Sequence, residues 1–338
     1  MKTILSKVLI MIPNFIHKLI PLALLVSFLC SNIAYSFDKS GTTSFQFLSV
    51  RPSSRAASLA GAFSTIADNS EASFWNPACL VKVQNMDASI SYIDYFLDVK
   101  MYSFSAAYTT QDWGTFGIFG LYTDVGTIEE TTRDAISVSG DNINPGLTGR
   151  TFTPYQLYGG ISYAKSLTNK FSFGINVKYV EENLIYAKTG EVVFDGGINF
   201  NTNYKSIQIG ASIKNFGKDV KYIDKAYPIP QTLNIGVSAN LIGNTGNNLL
   251  VDSDIHKLLF AYDIIQPRDY AQEHAVGMEY SYDNMIALRV GYKFNGDQEG
   301  LSAGFGLHYQ SLRVDYAYSA FGDYLPAVHR ITLGFELR

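Results

Sequence analysis

From about Asp87 to the C-terminus the chain alternates, residue by residue, between apolar side chains and small or polar ones. The pattern is cleanest at the end. Ile331, Leu333, Phe335 and Leu337 fall on one face, with Arg330, Thr332, Gly334, Glu336 and Arg338 on the other. Leu312, Val314, Tyr316 and Tyr318 oppose Arg313, Asp315, Ala317 and Ser319 in the same way. Upstream, Phe171, Phe173, Ile175, Val177 and Tyr179 oppose Ser172, Gly174, Asn176 and Lys178. Successive side chains of a strand point to opposite faces, so this period means strands and excludes helices there.

The alternation predicts fourteen strands, near 87–95, 101–110, 114–123, 154–165, 171–183, 191–202, 206–216, 231–242, 256–265, 274–282, 285–294, 300–310, 311–320 and 328–338. Each approaches the ~9–11 residues that a tilted strand needs to cross a bilayer. An even count is the rule for single-chain bacterial barrels. Pro52, Pro77, Pro145, Pro154, Pro228, Pro230, Pro267 and Pro326 all avoid strand interiors, where proline would remove a ladder bond. Connections also alternate in length. Those near 111–113, 167–170, 203–205 and 283–284 are short, and 124–153 and 217–230 are long. The segment 243–255 is long but belongs to the short set, which puts the strand edges there in question.

Alternation alone does not say which face is outside. A soluble sandwich or lipocalin-like barrel would turn the apolar face inward. Two features favour a membrane barrel. The chain begins with Lys2, Lys7 and Lys18, an apolar run from Leu19 to Leu29, and Ala34-Tyr35-Ser36. This reads as a signal peptide over 1–36, cut after Ser36. A lipoprotein signal acylated at Cys30 is disfavoured by bulky Leu29. The second feature is the apolar face itself, rich in the chain's 23 Tyr and 22 Phe and nearly free of charge. It suits lipid and its interfacial girdles. The expected location is the outer membrane, with its lipid as a partner.

Without residues 1–36 the chain has 23 basic and 30 acidic residues, a net charge of −7. That argues against nucleic acid as a partner. Cys79 would be the sole cysteine, so no disulfide or cysteine metal site is expected. No phosphate loop, zinc or calcium spacing, or nucleophile elbow is present, so no enzyme, cofactor or metal is expected. A lipid-cleaving barrel would need a serine beside His256, His274, His308 or His329 on the lipid-facing wall. His308 falls on the inward register. Asp124, Glu129, Glu130, Asp134 and Asp141 cluster in the longest loop without ligand spacing, as a solvated acidic loop would.

Residues 37–85 differ from the rest, being rich in Ser and Ala with little alternation; Ser53 to Ile66 could hold one or two helical turns. The stretch contains Phe47-Leu48-Ser49-Val50, then Ser54-Arg55-Ala56-Ala57-Ser58-Leu59-Ala60-Gly61-Ala62-Phe63, then Ala67-Asp68-Asn69-Ser70-Glu71-Ala72, then Phe74-Trp75-Asn76-Pro77-Ala78-Cys79-Leu80. It resembles the N-terminal signature of the PorV/PorQ family, which is related to the fourteen-stranded FadL-type fatty-acid channels. The matching positions are Arg55, Gly61, Ala62, Asp68, Trp75, Asn76, Pro77 and Ala78. The family pattern has Met-Gly where this chain has Leu59-Ala60, and Gly where it has Cys79. A glycine needed for positive φ would leave cysteine strained.

The resemblance implies an all-β, 14-stranded antiparallel transmembrane β-barrel over 86–338, with 37–85 as an N-terminal plug segment in the lumen. Arg51 and Arg55 could pair there with Glu279, Asp315 or Glu336. It further implies a role in type IX protein secretion, with C-terminal domains of secreted proteins held at the long loops. A FadL-like transporter of hydrophobic small molecules such as fatty acids is the alternative. Its apolar ligand pocket would lie near Phe63, Phe74 and Trp75.

Overall fold

The computed structural model describes residues 41–139, 142–244, 246–296, 299–322 and 325–337. The expected signal peptide and cleavage site, the first residues of the plug segment, Asp141 and Arg338 lie outside the described residues.

Fourteen antiparallel strands form the wall: β1 Met86–Asp94, β2 Lys100–Thr110, β3 Gly114–Asp124, β4 Tyr155–Ser166 and β5 Phe171–Asn183, then β6 Lys188–Asn201, β7 Gln208–Phe216, β8 Thr232–Gly243, β9 His256–Pro267 and β10 Glu273–Tyr282, then β11 Ile286–Phe294, β12 Glu299–Tyr309, β13 Leu312–Phe321 and β14 Val328–Leu337. Each pairs with its sequence neighbours. The ring closes where β1 meets β14, with Met86 opposite Leu337 and Asp94 opposite His329. Closure leaves no open strand edge in lipid, where unpaired backbone groups would have no water to bond.

The wall settles which face is outside. Ile90 is 60% exposed and Leu288 56%, whereas Asp315 and Thr332 on the alternate register are fully buried. Apolar side chains therefore face outward and polar ones inward, the arrangement of a membrane barrel and the reverse of a soluble one.

The long connection after β3 forms its own hairpin of Ile128–Ser139 with Asn142–Phe152. The segment 243–255 breaks the length pattern for a local reason. Val251–Asp252 folds back parallel to Ile242–Gly243, Leu249 N donates to Asn240 O, and Asn248 Nδ2 donates to Gly243 O. The strand edges on either side were therefore sound; the extra length is absorbed by this return.

Inside the ring runs the chain from Thr43 to Val83, nearly all of it buried. It begins at the rim of long connections, where Ser44 N donates to Pro228 O and Thr43 Oγ1 to Asp269. Midway, Ser54 Oγ lies 2.7 Å from Thr332 Oγ1 of β14. It ends at the rim of short turns, where Lys82 Nζ reaches Gln208 at 2.8 Å. Its local structure is a series of short turns. Helix α1, Ser54–Ser58, is capped by the Ser53 side chain. The 3₁₀ turns Ser70–Phe74 and Pro77–Lys82 are capped by Asn69 and Asn76. These caps satisfy amides that water cannot reach.

Glycines on the wall make room for this segment. A Cβ on Gly291 would fall 2.3 Å from the Leu59 carbonyl carbon, one on Gly174 2.3 Å from that of Pro77, and one on Gly304 2.5 Å from Ser58 Cβ.

Cys79 lies within the Pro77–Lys82 turn without positive φ, so the strain anticipated there is absent. The departure that matters is Ala60, at φ +55°, followed by Gly61 at +91°. An L-residue with a Cβ disfavours that region. Ala60→Gly is expected to stabilise the protein by up to about 1 kcal/mol, and Cys79→Gly to destabilise it by about the same. Unfolding midpoints in detergent would check both.

Candidate functional site

The candidate site is the lumen, built by the inward register of the wall and by residues 43–83. Charged side chains on the two surfaces interlock. Arg55 gives Nε and Nη2 to Glu279 of β10, each at 2.8 Å, and Nη1 to Asp68 at 2.6 Å. Arg289 of β11 bridges Glu279 and Asp315, both at 2.6 Å. Arg313 lies 3.2 Å from Asp315 and 3.4 Å from Asp87. This ladder crosses β10, β11, β13 and β1, and Arg55 ties the inner segment to it. The Arg55–Glu279 pair is one of the pairings anticipated. Arg51 instead pairs with Glu299 and approaches Glu273 at 3.9 Å. Farther round the wall, Asp263 accepts the Phe63 and Ser64 amides at 3.1 and 2.9 Å.

The remaining signature residues pack rather than present chemistry. Ala62 and Ala78 are fully buried. Asn76 donates to Ser64 O and Ile198 O at 2.8 and 3.0 Å, and Pro77 starts the turn that Asn76 caps. Gly61 leaves room for the Arg51 guanidinium.

Two cavities flank the segment. One of about 490 Å³, toward the long connections, is lined by residues including Leu48, Arg51, Trp75, Lys214, Glu273 and Arg330. The other, of about 500 Å³, opens among Arg55, Asp68, Lys82, Lys257, His308 and Arg313 near the short turns. Of the three aromatic residues expected to form a pocket, Trp75 lines the first. Phe74 packs edge-on against Phe119 at 5.4 Å and against Tyr158 at 6.4 Å. Phe63 is fully buried against Trp75 and lines neither cavity. Tyr158 continues to Phe47 at 6.2 Å, Phe47 to Phe45 at 6.1 Å, and Phe45 to Tyr222 at 6.3 Å. A file of rings thus runs from the long-connection mouth to the wall at β3 and β4. There Gly120 faces Gly159, and an apolar groove of about 590 Å³ lies against the wall among Ile90, Tyr102, Phe104, Tyr122, Leu157 and Leu333.

Several of these positions carry a usable sequence signal. Lys214 and Asp263 are charged residues on the inward register of alternating strands. Phe119, Tyr158 and the paired glycines carry no such mark, because large and small residues occur on both faces.

The histidines on the outward face bond tyrosines: His256 with Tyr280 at 2.8 Å, and His274 with Tyr262 and His329 with Tyr316 at 2.7 Å each. Each of the three histidines is the first or second residue of its strand. In the outer hairpin, Glu130 accepts from Thr148 at 2.6 Å and pairs with Arg150 at 2.8 Å. The Thr148 hydroxyl, with Tyr186 and Arg150, holds the Glu130 carboxyl below the usual range. The described residues contain no cluster of side chains set for a metal ion.

No protein-family model and no curated protein matches the chain, so the comparisons lend no support to the secretion role. Solved structures do match. The CymD monoaromatic hydrocarbon channel is 11% identical, with a TM-score of 0.57 over 85% of this chain and 98% of that one. The Pseudomonas putida toluene transporter TodX is 12% identical, with a TM-score of 0.54 over 84% and 98%. A Pseudomonas aeruginosa FadL homologue is 11% identical, with a TM-score of 0.50 over 85% and 98%. At such identities the likeness is one of fold alone, a closed antiparallel β-barrel.

Truncating Arg55 would leave Asp68 unpaired and Glu279 with only Arg289. Arg55→Met is expected to destabilise the seating of residues 52–82 by about 3–5 kcal/mol. Gly291→Val should act in the same direction by steric exclusion, while Gly159→Ala, whose Cβ would meet nothing closer than 4.0 Å, should be neutral. Hydrogen exchange of residues 52–82 in detergent would read all three.

Proposed function

We propose that this chain is an outer-membrane channel for hydrophobic small molecules, with residues 37–85 as its plug. The observation that carries this reading is the file of rings from Tyr222 through Phe45, Phe47 and Tyr158 to Phe74 and Phe119. It marks an apolar course from the mouth to the wall, apart from the two cavities edged by charged side chains. The file ends behind the Gly120–Gly159 pair, with the apolar groove on the lipid side. A ligand following the rings would leave sideways into the membrane rather than through the polar cavity near the short turns. The names of the solved channels with this fold, a monoaromatic hydrocarbon channel and a toluene transporter, agree with cargo of this kind.

Passage requires the inner segment to shift, because the gap beside Phe74 and Phe119 is about 10 Å³, room for no more than a water. Uptake of radiolabelled toluene and decanoate should fall when the gene is deleted and return with the intact gene, whereas uptake of a hydrophilic sugar should not change. Uptake of toluene and decanoate unchanged by the deletion would refute the reading.

A lock on the segment makes the plug testable. Ser73 Oγ and Ser162 Oγ lie 2.9 Å apart across the segment and β4. The double variant Ser73→Cys/Ser162→Cys is expected to lose most uptake when oxidised and to regain it on reduction. Unchanged uptake in the oxidised, cross-linked protein would show that this part of the segment need not move.

A further inference from the structure

On the outer side of the wall, the register of β14, β1, β2, β3 and β4 sets outward side chains in cross-strand rows. Tyr92, Tyr102 and Tyr122 stand opposite one another, with Ile331 at one end of the row and Leu157 at the other. Two residues nearer the short turns, Ile90 stands opposite Phe104, and the row runs on to Gly120 and Gly159, which have no side chain to fill it. The apolar groove of about 590 Å³ takes its lining from both rows.

Two residues the other way, toward the long connections, the same five strands carry a row of different chemistry. It reads His329, Asp94, Lys100, Asp124 and Tyr155. It stands about 7 Å along the strands from the tyrosine row. Lys100 therefore has a carboxylate opposite it on each side. Neither carboxylate forms an ion pair with it or with any other described residue. Asp94 and Lys100 are exposed, and Asp124 accepts the Gly126 amide at 2.9 Å. Charges of both signs thus stand unspent directly above an apolar slot that opens to the membrane.

We infer that the groove and the charged row together form a binding site for one zwitterionic phospholipid of the phosphatidylethanolamine type. An acyl chain fills the groove, the ammonium lies against Asp94 and Asp124, and the phosphate lies against Lys100. A purely anionic headgroup would face two carboxylates for one lysine, whereas a headgroup of both signs finds a counterpart for each. The site does not depend on the channel reading. If both hold, cargo leaving the wall at β3 and β4 has to displace this lipid.

The full barrel, delipidated in mild detergent, would be examined by native mass spectrometry. Dioleoyl phosphatidylethanolamine, dioleoyl phosphatidylglycerol and lipid A would be added separately. One phosphatidylethanolamine should remain bound per barrel, at a concentration roughly fivefold below that for phosphatidylglycerol, as two exposed charge pairs would give. Asp94→Asn/Asp124→Asn should erase that preference. Ile90→Trp narrows the groove at a lipid-facing position that tolerates any apolar side chain. It should weaken both phospholipid adducts while the heat-dependent gel shift of the folded barrel stays as it was. Equal binding of the two phospholipids, tighter binding of lipid A, or no retained lipid overturns the proposal. So does a preference that survives the double substitution, or an adduct that Ile90→Trp leaves unchanged. None of these results alters hydrocarbon uptake in the deletion strain, and failure of that uptake test would leave the lipid adduct standing.

Discussion

Backbone hydrogen bonding in lipid is the constraint on which the rest of this structure depends. A strand in hydrocarbon must find partners on both edges, so the first strand has to meet the last. The pairing of β1 with β14 along its whole length makes the wall possible. Once the ring is closed, side-chain period and membrane thickness leave little freedom. One register meets lipid and the other is confined to a lumen.

That confinement creates a second problem, which the inner segment solves. Inward charges such as Glu279, Arg289, Asp315 and Arg313 are deprived of bulk water. They are costly unless matched. The segment supplies Arg55 to the ladder, backbone amides at Phe63 and Ser64 to Asp263, and small residues where the wall has glycine. Its short capped turns bring their own partners for their own amides. Lys214, inward by register, meets Phe74 O and the Trp75 ring while Asp195 is held by Lys178, Asn176 and the Asn215 amide.

Much of the wall is legible in the sequence, because a two-residue period over ten residues has few structural readings. All fourteen expected segments correspond to strands, with edges displaced by at most a few residues. The outward face is not legible from alternation, since an inverted barrel would show the same pattern; the signal-like N-terminus and the uncharged aromatic face pointed to it, and burial settles it. The return of 251–252 beside β8 depends on Asn248, an ordinary turn residue in sequence. Positive φ also escaped the sequence pattern. Cys79 looked like the misfit, yet Ala60 holds the left-handed backbone. The pairing of Arg55 with Glu279 could be anticipated from charge and register. That Lys214 bonds Phe74 O and not Asp195 could not, because it depends on what Asp195 does.

Ser54, Ser91 and Thr332 share one hydroxyl cluster, joining the inner segment to β1 and β14 at the strands where the ring closes. Thr332 lies 2.7 Å from Ser54 and 2.8 Å from Ser91. The segment leads directly into β1 at one rim and has its far end at the other. A finished cylinder would have to admit it lengthwise, past glycine sites that leave no slack. An unfinished sheet, open between β1 and β14, can take it in sideways. Closure and filling are thereby linked: the two strands that close the ring are also strands whose inner faces hold the segment.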